Sequence, residues 1–490
     1  MSRDRRSSVR SDRLDLVVIG GGTGGLVSAL VAAGIGARVT LIERGRLGGD
    51  CLWTGCVPSK SLLAAADLAH RIRHADDVGL VPSEPTIDFT QVMDHVYRAQ
   101  RVIEPQDSAA RLEREGVEVA AGHAQFASPG VVDVSGRRLR YRKAIIATGS
   151  RPLLPSIPGL AEPDPLTSDT VWDLTRQPRS LAILGGGPIG CELALAFARL
   201  GSQVTLIEAG ERLLSREEPR ASELIAARLQ AEGIAVWCGR SVASVTRSQA
   251  GGELQLRPGG PSPTIAFDRL LVAAGRAPST DGLGLEAVGV GTDGSGFVQV
   301  NARLRTSNRH VYAVGDVTGA MAFTHVAAYH ARVATINALF ATRRQVDYAA
   351  VPRVTFTDPE VAAIGLTERE ARRRWDKPTI VSFDYGELDR AITDGRPYGF
   401  VTLVGDPKGR LVGATIAAPG GAESVAELAA WISSGAKIDR ISQTVHAYPT
   451  FSEGPSRAAD ANLRARFAGH RTQQVAGRAL QILGHIDHAR

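Results

Sequence analysis

The chain has 490 residues, 43% of them hydrophobic and 22% charged, with 53 glycines, four cysteines and a net charge of +6. That length exceeds one hydrophobic core and calls for about three domains, and the composition excludes a disordered, collagen-like or disulfide-stapled chain. The mild charge and the lack of any long uncharged apolar window argue against nucleic-acid and membrane partners, and with no apolar leader the expected location is cytoplasmic.

In chain order, residues 1–13 (MSRDRRSSVRSDR) read as a solvated basic tail. The next stretch, LDLVVIGGGTGGLVSALVAAGIGARVTLIERG, is an apolar strand, a glycine turn, a helix and a second strand closing on an acid. Gly20, Gly22 and Gly25 form G-x-G-x-x-G, and Glu43 ends the second strand. Such glycines let the backbone approach a pyrophosphate at the helix N-terminus, while the acid accepts hydrogen bonds from a ribose. Gly48 to Lys60, GGDCLWTGCVPSK, then places Cys51 and Cys56 five positions apart. The pattern from Val57 onward predicts a helix with Cys56 at its N-terminus, where free amides and the helix dipole favour a thiolate. Cysteines this close can form a small-loop disulfide that is easily reduced, and in a cytoplasmic protein such a bond is transient and catalytic. The other readings are a chance pair of buried thiols and a zinc corner; no second Cys or His pair stands at ligand spacing, so no metal is expected.

Residues 75–125 carry an amphipathic helix pattern, followed by short strands. KAIIATGSRP ends this block on a buried strand and a turn holding Thr148 and Gly149, and Pro152 to Pro165 reads as a linker. Residues 181–210, LAILGGGPIGCELALAFARLGSQVTLIEAG, repeat the first unit: Gly185, Gly187 and Gly190 lead to Glu208, and Gly185 to Glu208 has the same offset of 23 residues as Gly20 to Glu43. Two such units imply two dinucleotides, most simply FAD and then a nicotinamide. Glu208 would bond a free 2′-hydroxyl and repel a 2′-phosphate, which favours NADH over NADPH, with Arg212 the residue that weighs the other way. Cys191 and Cys238 read as packing residues, the latter in an apolar strand. LLVAAGRAPST around Gly275 and HVYAVGDVTG around Gly315 and Asp316 are further strand-to-turn segments, in which Asp316 is either a cofactor contact or a turn former. From Val351, alternating strands followed by helices from Ala422 mark a separate domain.

Together these features resemble the pyridine nucleotide-disulfide oxidoreductases, the flavoenzyme family of dihydrolipoamide dehydrogenase, glutathione reductase and mercuric reductase. The most specific motif is GG-x-C-x-x-x-x-G-C-x-P-S-K at Gly48 to Lys60, and Ser59 is nearer to the dehydrogenase and mercuric-reductase branch. The resemblance implies an α/β fold: two Rossmann-like dinucleotide-binding domains plus a C-terminal α+β dimerisation domain. On this chain it gives an FAD-binding domain over 14–160 and 290–347, an NAD(P)-binding domain over 161–289, a dimerisation domain over 348–470 and a tail over 471–490. It also implies that Cys56 lies against the flavin and Cys51 exchanges with substrate, and that Lys60 sits near flavin N5 paired with Glu192. Gly49, Thr148, Gly149, Gly275, Gly315 and Asp316 would line the cofactors. The enzyme would be a homodimer with its active site shared between subunits, passing electrons from NAD(P)H through FAD and the disulfide to an acceptor.

One segment departs from the family. Members that handle lipoamide or glutathione carry a histidine directly before a proline, with a glutamate five residues beyond that histidine, both supplied by the partner subunit. Here the segment reads HAYPTFSEG: Glu453 is kept, but Tyr448 precedes Pro449 and His446 stands two residues earlier. A histidine near pKa ~6.5 exchanges protons with a thiol at neutral pH, whereas a tyrosine near ~10 mainly offers a hydrogen bond. His446 would substitute only from a displaced position. Tyrosine at this place resembles mercuric reductase, whose metal-ion acceptor needs no proton relay, yet that enzyme also has a C-terminal cysteine pair. No cysteine follows Cys238, and the tail offers only His485 and His488. The expectation is a mercuric reductase-like enzyme with a small-molecule or metal-ion electron acceptor, including a quinone or disulfide. The alternatives are a dihydrolipoamide dehydrogenase serving a 2-oxoacid dehydrogenase complex, a mercuric reductase using only the internal pair, and a non-catalytic NADH-sensing flavoprotein.

Overall fold

A computed structural model describes residues 13–248, 251–257, 264–467, 474, 476–481 and 483. The basic tail before Arg13, and His485 and His488 with most of the C-terminal tail, lie outside the described residues.

Leu16–Ile19, the apolar and fully buried part of strand Leu14–Ile19, runs in the middle of a parallel sheet covered on both faces, while Asp15 near its start stays half-buried. The order is Val117–Ala121, Val39–Glu43, Leu14–Ile19, Arg137–Ile146 and Val311–Ala313, all parallel. The last of these comes from far along the chain and delivers Gly315 and Asp316 to the same sheet edge as Gly20. Helix Thr23–Gly34 packs against helix Thr324–Phe340 on one face. The first sheet continues antiparallel from Arg137–Ile146 through Val131–Val134 and Ala124–Ser128 to seven strands. The second unit is a five-stranded parallel sheet, ordered Ala235–Trp237, Gln203–Ile207, Ser180–Leu184, Arg269–Val272 and Leu166–Thr167. Short strands Ser150–Pro152 and Arg276–Pro278 pair antiparallel and join the two units. Beyond them an antiparallel sheet, ordered Pro352–Thr355, Val361–Gly365, Leu411–Ala417, Phe400–Gly405 and Thr379–Asp384, carries helices Gly421–Ser433 and Glu453–Phe467. The fold is therefore α/β in its two dinucleotide-binding units and α+β at the C-terminal end.

The cysteine segment is fixed by a core that crosses the unit boundary. Leu62, Leu63 and Ala66 of helix Cys56–Arg73 pack with Phe89, Met93 and Val96 of helix Phe89–Ile103 and with Phe197 of helix Pro188–Arg199. Helix Phe89–Ile103 starts where Asp88 accepts from the Gln91 amide, and the 3.6-residue spacing of Phe89, Met93, Val96 and Gln100 puts all four on its buried face. Cys191 is fully buried in the same core. Cys238 lies one residue beyond strand Ala235–Trp237 and is only half-buried, so its expected place inside an apolar strand is corrected: the strand ends at Trp237 as the chain turns toward Gly239. Among the described residues, no helix is long and apolar enough to cross a membrane.

Candidate active site

The two glycine turns are built alike. Gly20 N donates to Ile42 O and Gly185 N to Ile207 O, each at 2.8 Å. Each acid at the second strand end then buckles its own turn. Glu43 accepts from Gly21 N at 2.5 Å and Gly45 N at 2.7 Å, and Glu208 accepts from Gly186 N and Gly210 N, both at 2.6 Å. A Cβ at Gly25 would lie 1.8 Å from Gly20 O, and one at Gly190 would lie 1.9 Å from Gly185 O, so helix packing dictates these two glycines. At Gly187 a Cβ would meet nothing within 4 Å, and at Gly22 only Gly49 Cα at 3.7 Å. The middle glycine of each turn thus faces open space at the start of a helix that has no side-chain N-cap, which fits a pyrophosphate.

One cavity of about 1060 Å³ collects the predicted cofactor residues. Gly20, Gly22, Glu43 and Gly49 line it from the first unit, Gly185, Gly187 and Glu208 from the second, and Thr148, Gly149, Gly275, Gly315 and Asp316 from the later turns. Gly25 and Gly190 stand behind this wall. The Thr148 hydroxyl is buried in the wall without a hydrogen-bond partner, which fits a polar ligand in the cavity.

Cys51, Cys56, Lys60 and Glu192 line the same cavity. Helix Gly49–Trp53 carries Cys51, the chain breaks at Thr54 and Gly55, and Cys56 opens helix Cys56–Arg73. Both cysteines are free thiols, and Cys56 Sγ lies 3.3 Å from Thr324 Oγ1. The hydrogen bond from the Cys51 thiol, against the opposing effect of burial and helped by the Thr324 hydroxyl and the Lys60 charge, brings Cys56 down to about 6. The same shared hydrogen bond, with burial, pushes Cys51 well up. Lys60 Nζ lies 2.7 Å from Glu192 Oε2 and 4.4 Å over the Phe356 ring, while Glu192 Oε1 accepts from Phe356 N at 2.9 Å. This arrangement separates one ionised sulfur from one protonated sulfur at neutral pH. Iodoacetamide labelling of Cys56 is therefore expected to rise with a midpoint near pH 6, since only the thiolate reacts; a midpoint near ~8.5, the ordinary thiol value, would refute it.

Sequence reasoning missed a chain of polar groups on the cavity wall. Asp50 pairs with Arg276 Nη2, Arg276 Nε donates to Ser150 Oγ at 2.7 Å, and Ser150 Oγ donates to Asp316 Oδ2 at 2.9 Å. Burial, against the opposing Arg276 charge and helped by Asp169 and Asp316, pushes the Asp50 carboxyl up to about 6. A carboxylate beside Cys51 was the available signal; its arginine partner, 226 residues away, left none.

The C-terminal candidates are not brought to the sulfur pair within one chain, and none of them lines the cavity. Both ring nitrogens of His446 are occupied, Nε2 at 3.0 Å from Glu427 Oε2 and Nδ1 at 2.9 Å from Thr444 O. Tyr448 is exposed and donates its hydroxyl to Asp389 Oδ2 at 2.8 Å. Glu453 is buried and accepts from Thr450 N at 3.3 Å and Arg457 Nη2 at 3.4 Å.

Residues 14–331 match the family described as pyridine nucleotide-disulphide oxidoreductase, and residues 351–459 match its dimerisation domain. A mercuric reductase from Lysinibacillus sphaericus is 34% identical over 92% of this chain and 83% of its own. A dihydrolipoyl dehydrogenase from Thermus scotoductus is 36% identical over 91% of this chain and 97% of its own. Among solved structures, the Cu(II) complex of the HOCl-induced flavoprotein disulfide reductase RclA from Escherichia coli superposes with a TM-score of 0.82 at 26% identity, covering 92% of this chain and 99% of that one.

Proposed function

This chain belongs to the pyridine nucleotide-disulphide oxidoreductases, FAD-dependent enzymes that use a pyridine nucleotide, and on that footing we propose that it passes electrons from NADH through Cys51 and Cys56 to a metal ion, quinone or disulfide, in the manner of the mercuric reductases. The observation that carries this reading is Cys56 itself. It opens a helix, touches Thr324, and shares one proton with Cys51 beside the Lys60–Glu192 pair.

The first turn with Glu43 would hold the FAD pyrophosphate and ribose, and Thr148, Gly149 and Asp316 the rest of that cofactor. When bound, FAD supplies two-electron transfer between a nicotinamide and a disulfide. The chain's own residues supply the rest. Glu192 fixes Lys60, Lys60 and Thr324 favour the Cys56 thiolate, and Cys51 keeps its proton. When this thiol and thiolate close to a disulfide they release two electrons and the one proton held by Cys51.

The choice of acceptor turns on Tyr448. Its hydrogen bond to Asp389 pushes the phenol above its ordinary value, so it takes up no proton at neutral pH, and His446 is committed to Glu427. Retention of Glu453 favours the second reading, dihydrolipoamide dehydrogenase. We expect poor dihydrolipoamide oxidation by the native enzyme and a gain of about 10²-fold in Tyr448→His, the usual contribution of a placed base. Native turnover at dehydrogenase level would overturn the first reading. In the proposed homodimer, which the dimerisation domain supports, the partner's copy of this segment would come to the sulfur pair.

NADH is favoured because both Glu208 oxygens point into the second turn, where they would also meet a ribose hydroxyl. The opposing residue, Arg212, is spent on its own loop, donating to Glu217 O and Ser222 Oγ. Stopped-flow flavin reduction is expected to be faster with NADH than with NADPH; the reverse order would refute this. Steady-state NADH oxidation against disulfides, Hg(II), Cu(II) and quinones tests the acceptor directly.

A further inference from the structure

Cys51 and Cys56 are joined only by Leu52, Trp53, Thr54 and Gly55, and the shape of that joint decides whether the sulfurs meet. Had the two helices run on as one, residues five apart would be separated by a rise of ~7.5 Å and a rotation of ~140°. That exceeds the ~7 Å Cα separation a disulfide tolerates. The break at Thr54 and Gly55 is therefore a condition of the sulfur chemistry. A break has a cost, because the last carbonyls of helix Gly49–Trp53 lose their intrahelical donors.

Two buried side chains meet that cost. Gln100 Nε2 donates to Leu52 O at 3.1 Å and Trp53 O at 2.9 Å, and Trp172 Nε1 donates to Thr54 O at 2.9 Å while also reaching Ser168 O at 2.8 Å. Gln100 is 6% exposed and Trp172 is 5% exposed. They are tied together as well, since Tyr97, one turn before Gln100 on the same helix, donates its hydroxyl to Trp172 O at 2.7 Å. Three consecutive carbonyls are thus held from two directions, one donor coming from helix Phe89–Ile103 and the other from the short turn Val171–Asp173 between strands Leu166–Thr167 and Ser180–Leu184 of the second parallel unit.

We propose that Gln100 and Trp172 are positioning residues that hold the helix break between Cys51 and Cys56 in the shape the sulfur pair requires. The proposal rests on the reading of that pair as the redox couple. Pro58 has no N–H to offer the Thr54 carbonyl, so the two helices cannot merge; without either donor the freed carbonyls turn to water and Leu52–Gly55 loses the single shape that holds the two helix ends together. The sulfurs then separate, the disulfide becomes easier to reduce, and Cys56 loses the Cys51 hydrogen bond.

The test uses the full-length holoenzyme, as Gln100→Met and Trp172→Phe, with Val96→Ala as a core truncation on the same buried helix face that touches no loop carbonyl. The first readout is the dithiol–disulfide equilibrium in glutathione buffers, scored by thiol counting. The second is the pH profile of Cys56 alkylation. Each donor variant is expected to shift the equilibrium about tenfold toward the dithiol, ~30 mV for this two-electron couple, and to raise the alkylation midpoint, while Val96→Ala leaves both where they are. Donor variants that titrate like the native protein, or a Val96→Ala shift of equal size, overturn the proposal and leave the redox reading standing. A native protein with no reversible two-thiol couple overturns both. If Gln100→Met does not fold, Trp172→Phe alone decides.

Discussion

Serine in place of Cys56 is expected to lower NADH-driven turnover of disulfide and metal-ion acceptors by on the order of 10³-fold or more while FAD loading is kept. A serine hydroxyl is not ionised at neutral pH and forms no bond to Cys51, so the two-electron store is lost. The fingerprint turns, the Thr148 hydroxyl and the Asp316–Ser150–Arg276 chain lie on other segments and are untouched, which is why the cofactor should remain. Steady-state rates and the flavin spectrum of the purified variant read the two effects separately. The long-wavelength absorbance of a thiolate against oxidised flavin, expected on NADH addition to the native enzyme, should vanish. Undiminished turnover by Cys56→Ser would place the electron exit elsewhere.

The second large effect is on stability. The Arg199 side chain, 1% exposed, bonds Asp67 of the cysteine helix, Glu232 of the second unit at 2.6 Å and Asp358 of the C-terminal domain at 2.7 Å. One guanidinium thus joins three parts of the molecule. Arg199→Leu removes one of the two cationic partners of the largely buried Glu232 and Asp358, leaving His70 and Arg396, and breaking a buried pair from one side typically costs about 3–5 kcal/mol. The deficit has a definite pH dependence. Burial works to raise Glu232, but hydrogen bonds from His70 and Arg199 override it and hold the group at about 2, below its ordinary 4.5; Asp358 is likewise held low by Arg199 and Arg396 against burial. A depressed carboxyl contributes stability that is present above its unfolded value and lost as pH falls through its folded value. The gap between native and Arg199→Leu unfolding midpoints should therefore be full at pH 7 and narrow from about pH 4.5 down to about pH 2. A gap that stays constant over that range would mean the loss is packing rather than charge.

Both nucleotide turns were legible in the sequence because strand, glycines, helix and acid lie within one short run and obey local rules. The placement of Cys56 at a helix start was legible for the same reason: Pro58, Ser59 and the helical pattern after Val57 settle it locally. What stayed hidden depends on which distant segments meet. Arg276 reaches Asp50, Gln100 and Trp172 reach the carbonyls between the cysteines, and Arg199 reaches Asp358, yet no spacing rule links those positions. His446 shows the same limit from the other side. Its neighbours in sequence suggested proximity to the chemistry, but Glu427, on a helix packed alongside, takes its Nε2.

The doubled amide bonds to Glu43 and Glu208 bear on how readily such a protein changes coenzyme. A single substitution of Glu208 meant to admit a 2′-phosphate would also strand the amides of Gly186 and Gly210. If Glu208 also selects the nucleotide, as proposed, one side chain would carry both duties, and altered preference would call for paired rather than solitary changes.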